Sequence, residues 1–186
     1  DLYKENGSFE ERTLVIKALQ ELASDKAKEC LIEIARNPGR TGHTLGPSAV
    51  KALTTLTNDS TLISKCLEST VPEARDTAAQ ELAGKELSSI AVSRLGDLLK
   101  SDSWVSHNLV ATAFTTDTSK QMTREKIDLI LNSIPKVESV ITLNNDYLEE
   151  DPWNSQEMTT ERYISALSGI QGGEIYLESK LAKSEG

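Results

Sequence analysis

The side chains in this 186-residue chain that could do chemistry are few and scattered. It has two histidines, His43 and His107. Asp102, Ser103 and Ser106 precede His107, and together they supply the residue types of a proton-relay triad. A nucleophilic serine needs a sharp, strained turn of Gly-x-Ser-x-Gly form to expose its oxygen. The chain has none. Asp102 and Ser103 fall where a helix is expected to start, so capping of its first amides accounts for them. No His-x-x-x-His or Cys-x-x-Cys spacing occurs, so no structural metal site is expected. The expectation is a chain without catalytic residues, metal or cofactor, and not an enzyme.

Two other segments invite a chemical reading. Gly39-Arg40-Thr41-Gly42-His43-Thr44-Leu45-Gly46 has the glycines of a phosphate cradle. Such a loop also needs Gly-Lys-Ser/Thr opening a helix after a strand, and neither is present. It reads as a connection that could carry a contact through Arg40 and His43. Asn144-Asn145-Asp146-Tyr147-Leu148-Glu149-Glu150-Asp151 is rich in oxygen ligands. It lacks the Asp-x-Asp-x-Asp-Gly spacing of a calcium loop. It reads as a solvated acidic turn, or as a dock for a basic partner with Tyr147 and Trp153 as aromatic anchors. Trp104 opens a helix and is expected in the core. Cys30 and Cys66 read as two buried thiols, or as a disulfide if the compartment is oxidising.

The elements that hold these residues are helices. Ile16-Lys17-Ala18-Leu19-Gln20-Glu21-Leu22 returns as Val50-Lys51-Ala52-Leu53-Thr54-Thr55-Leu56. Looser copies lie at 76–82, 108–114 and 164–170. The Ala18-equivalent positions 18, 52, 78, 110 and 166 give intervals of 34, 26, 32 and 56. The first three intervals fit a two-helix unit of roughly 30 residues. Apolar periodicity predicts first helices at about 10–23, 47–57, 72–83 and 103–115. It predicts second helices at about 25–36, 60–69, 86–100 and 119–134. In the opening helix Leu14, Val15, Ala18, Leu19 and Leu22 are expected to face inward. Ser24, Asp25 and Asn58-Asp59-Ser60 offer capping oxygens, while Pro47 and Pro72 suit a first helical turn. Residues 135–157 read as an acidic insertion and 158–184 as a short terminal repeat of the same single domain.

The recurring phrase and the alternation of first and second helices resemble the HEAT-like, armadillo-type helical-repeat family. The resemblance covers about 10–134 well and the terminal repeat loosely. It implies an all-α fold, an α-α superhelix of about four to five two-helix repeats, with the second helices lining a concave face. The third and fourth units lack the Asp/Arg pair of strong HEAT repeats, which leaves other α-α superhelices open. Members of the family are mostly interaction scaffolds, so a protein partner is expected. Some resemble DNA glycosylases or bilin lyases, the alternative reading, and a spacer in a larger exported protein is a third.

Charge bears on these choices. The net charge is −9, and residues 141–178 carry eight carboxylates against Arg162 alone. Phosphate binding needs a basic stripe, so nucleic acid is disfavoured. Arg36, Lys65, Arg94 and Lys100 on the second helices, with Tyr147 and Trp153, are the expected partner contacts. Convergence of these cations with Arg124 on one face would favour duplex binding. A membrane span needs roughly 18 apolar residues in a row. No run in the chain approaches that length. The chain opens at Asp1, which suits a processed or trimmed start. Compartment and oligomeric state stay open.

Overall fold

The computed structural model describes residues 8–39, 42–100 and 104–119, together with Leu129. Among these the chain is all-helical, with seven α-helices and no strand. They are α1 (Phe9–Leu22), α2 (Asp25–Arg36), α3 (Gly42–Leu56), α4 (Ser60–Ser64), α5 (Pro72–Leu82), α6 (Ser89–Leu98) and α7 (Trp104–Thr115). A 3-10 turn at Lys65–Glu68 continues α4. The expected helix at 119–134 and everything after it lie outside the described residues, except Leu129.

Local chemistry starts most of these helices. The Ser8 hydroxyl accepts from Glu11 N–H, and the Glu11 carboxylate accepts from Ser8 N–H at 2.8 Å. Together these bonds form a reciprocal capping box. Ser24 caps α2, Asp59 caps α4 and Ser88 caps α6, each accepting from an amide in the first turn, as N-cap side chains do. Pro72 stands at the first turn of α5, where a missing N–H costs nothing. Stops are equally local. Ala23 takes the left-handed conformation after α1, and Gly84 does so two residues beyond α5. Gly84, without a Cβ, adopts that conformation at no steric cost.

The odd-numbered helices meet in chain order: α1 packs against α3, α3 against α5, and α5 against α7. Of the even-numbered set, α2 meets the 3-10 turn, and that turn and α4 meet α6. One apolar cluster runs from Ile16 through Leu31, Leu53, Ile63, Leu82 and Leu95 to Phe114. Each fully buried Leu or Ile contributes about 1.5–3 kcal/mol. Small residues let the backbones approach. A Cβ on Gly46 in α3 would lie 2.8 Å from Ala74 Cβ in α5, and one on Gly96 in α6 would collide with Leu129.

Two expectations need correction. The segment 39–46 is not a loop throughout, because α3 begins at Gly42 and holds Pro47 inside it. The bond that a proline cannot make would fall on the carbonyl four residues back. Here that is His43, an exposed residue. Full burial of Leu45 and the close approach of Gly46 to α5 favour helix there. In α1 the inward face is also different. Arg12 and Ile16 are buried and Leu19 half-buried, whereas Leu14 is 63% and Leu22 69% exposed, and Ala18 is exposed. Among the described residues α1 packs on α2 and α3, and its far side faces solvent.

Candidate functional site

The 3-10 turn is the centre of the clearest polar arrangement. Its position is set by bonds to the end of α2. Ser69 Oγ donates to the Ala35 carbonyl at 2.7 Å, and Thr70 N–H donates to the Arg36 carbonyl at 2.9 Å. These satisfy carbonyls that a helix end leaves without partners. They also bring Glu68 beside Arg36. Arg36 Nη2 donates to Glu68 Oε2 at 2.8 Å, and Arg94 Nε, from α6, donates to Glu68 Oε1 at 2.8 Å. Arg94 Nη1 reaches Ser64 Oγ at 3.0 Å. One carboxylate thus joins α2 to α6 through the turn between them.

Glu68 also lines a cleft of about 370 Å³ with Leu67, Arg75, Arg94, Asp97, Leu98 and Lys100. That volume is near the lower end of the roughly 300–1,000 Å³ typical of ligand sites. The lining sets three cations against two carboxylates in a chain of net charge −9. Lys100 is paired with Asp97 one helical turn away. Arg75, from α5, reaches back to donate to the Ser69 carbonyl at 3.0 Å and forms no ion pair among the described residues. Guanidinium donors in a cleft also lined by two nearly buried leucines equip it to recognise a carboxylate.

The expected contact residues divide. Arg36 and Arg94 come together on Glu68, and Lys100 joins Arg94 at the cleft. Lys65 begins the 3-10 turn, half-buried, and does not line the cleft. Tyr147, Trp153, Arg40 and Arg124 lie outside the described residues, as does the side chain of Trp104. The convergence that would favour duplex binding is therefore partial, and Glu68 offsets the paired arginines. Arg75 was not anticipated: it lies on a first helix, and no spacing signals that its side chain runs back toward the turn.

The remaining chemical candidates are dispersed. His43 is exposed at the start of α3, and His107 is fully buried in α7. Ser106 Oγ donates to Asp76 Oδ1 of α5 at 2.8 Å, while Asp102 and Ser103 lie outside the described residues. Cys30 and Cys66 are free thiols, the first half-buried and the second buried. Burial pushes the Cys66 thiol up to about 12, with Arg36 opposing and Glu68 adding to the effect. A thiolate stripped of water is the disfavoured form. Among the described residues no group of three His, Cys, Asp or Glu could hold a metal ion, and no helix is long and apolar enough to cross a membrane. Compared with protein-family models, curated proteins and solved structures, the chain matches none.

Proposed function

We propose that this chain is a non-enzymatic protein-interaction module, built as a HEAT-like α-α superhelix and taking its partner on the face of the even-numbered helices. One observation carries the reading: bonds between successive helix pairs recur at the period of the sequence repeat. Ser69 reaches Ala35 across 34 residues, Thr61 reaches Ser88 across 27, and Arg94 reaches Glu68 across 26. Gly84 reaches Thr116 across 32, and Ser106 reaches Asp76 across 30. The sequence intervals of 34, 26 and 32 fall in the same range. Contact of each unit with its neighbours alone is the property of a repeat array, and such arrays present extended binding surfaces. The Arg36–Glu68–Arg94 bridge spans three successive elements of that surface and holds its charges in register.

The test is affinity capture from the source organism's lysate with the full chain as bait. Two variants accompany it: Arg36→Glu with Arg94→Glu, and Lys51→Glu on the exposed side of α3 as control. The expected result is a protein captured by the native chain and the control but lost by the double variant, with both variants melting cooperatively. Capture that ignores the double variant would remove the even-helix face as the binding surface. Recovery of nucleic acid in place of protein would favour the glycosylase-like alternative.

A further inference from the structure

We infer that the cleft between the 3-10 turn, α5 and α6 is a docking slot for an acidic peptide segment of a partner protein, gripped through Arg75. The inference rests on the interaction-module reading and names the partner's chemistry. Three cations line the slot, and two of them are already matched: Arg94 by Glu68 and Lys100 by Asp97. Among the described residues Arg75 is engaged by the Ser69 carbonyl alone, through one N–H. A guanidinium carries several more donors than that. With donors to spare it takes a carboxylate in a two-point grip that an ammonium cannot reproduce. Leu67 and Leu98, 5% and 6% exposed, leave only a narrow apolar edge in the slot for an aliphatic neighbour of that carboxylate to touch. A cleft of about 370 Å³ accommodates side chains of a bound segment while its backbone runs outside.

Charge supplies the selectivity. The protein as a whole is at −9, so an acidic segment is repelled by most of it and attracted here. The neighbouring pairs also fix the slot's shape, since Arg94 is tied to both Glu68 and Ser64 and cannot swing across the opening without breaking two bonds. A basic segment would meet the slot's excess of cations over carboxylates, and a neutral one would leave the spare Arg75 donors without a charged acceptor.

The experiment uses the full chain and two rhodamine-labelled peptides, Ser-Gly-Glu-Leu-Glu-Leu-Gly-Ser and its twin with both Glu replaced by Gln. Fluorescence anisotropy reads binding at low and at physiological salt. The Glu peptide is expected to bind about tenfold or more tightly than the Gln twin, the ratio one charged hydrogen bond supports. The advantage should shrink with salt. Arg75→Gln should abolish it, Arg75→Lys should keep part of it, and Lys51→Glu should leave it unchanged. Equal binding of the twins, binding of neither, or an Arg75→Gln variant that keeps the preference would each overturn the assignment. So would a labelled DNA duplex that binds more tightly and is lost with Arg75, because the slot would then serve phosphate. If Arg75→Gln does not fold, the native chain's discrimination between the twins and the Arg75→Lys result decide. Partner capture that survives Arg75→Gln while the peptides fail sinks the slot and leaves the module reading intact. Capture that fails with the native chain sinks the module reading itself.

Discussion

Ile16-Lys17-Ala18-Leu19 in α1 and Val50-Lys51-Ala52-Leu53 in α3 are nearly one phrase, yet they meet different surroundings. In α3, Val50 and Leu53 are fully buried and Ala52 is 5% exposed, because α1 lies on one side and α5 on the other. In α1, Ala18 is exposed and Leu19 only half-buried. The same contrast holds at other matched positions. Leu22 is 69% exposed while Leu56 packs against the core. Arg12 occupies the α1 position matched by Gly46 in α3, where the backbone itself meets α5. The two thiols, though not at matched positions, differ in the same way: Cys30 in α2 is half-buried, and Cys66, in the turn that meets α2, α5 and α6, is buried. Burial in this molecule follows a helix's neighbours more than its own sequence.

The largest effect should come from the shared leucine. Leu53→Ala is expected to cost about 2–5 kcal/mol, as a core truncation that leaves a cavity does. Leu19→Ala should cost roughly 1–2 kcal/mol, in proportion to the smaller apolar area it buries. Urea titration of both measures the gap, and equal costs would break the comparison. Gly46→Ala comes next. Its new methyl would lie 2.8 Å from Ala74 Cβ. Overpacking of this kind costs about 1–3 kcal/mol. A double variant with Ala74→Gly should recover most of the loss, which shows that the contact itself is responsible.

Cys66 gives a pH-dependent version of the same contrast. Its folded value is raised from 9.0 to about 12, so the unfolded chain ionises first. The neutral thiol's contribution is complete below about pH 9 and is lost as pH rises toward 12, at about 1.4 kcal/mol per unit. Cys66→Ala should flatten that part of the stability curve relative to the native chain. Thiol labelling at neutral pH should reach half-buried Cys30 well before Cys66. The smallest effect is expected at the exposed side of α1. Leu22→Gln should change stability by about 0.5 kcal/mol or less, the range of exposed substitutions. A loss of about 2 kcal/mol or more by thermal melting, the scale of a core truncation, would mean that this side is covered.

Much of the helical layout was legible because its determinants are close in sequence. Ser24, Asp59 and Pro72 signal helix starts by chemistry acting within one turn, and α2, α5 and α7 fall within a few residues of their expected spans. The start of α3 was not legible. Pro47 suggests a first turn locally, but Leu45 and Gly46 are held in helix by contacts with distant residues. The buried face of α1 was misread for a related reason. Its leucines allow two apolar sides, and only the neighbours select one. At the candidate site, Arg36, Arg94 and Lys100 could be named from their place on second helices. The Glu68 bridge that orders them and the approach of Arg75 could not.

Among the described residues the sequence alone determined roughly where most helices form and stop, and it carries the interval at which the phrase returns. Those properties follow from caps, turns and periodicity spanning about four residues, within reach of a local reading. The tertiary structure decided which side of each helix is buried, which thiol is shielded and which cations meet in one cleft. Those outcomes depend on partners 26 to 35 residues away, as in Arg94 with Glu68 and Gln20 with Thr55. A side chain's surroundings at that distance are set only when the helices pack.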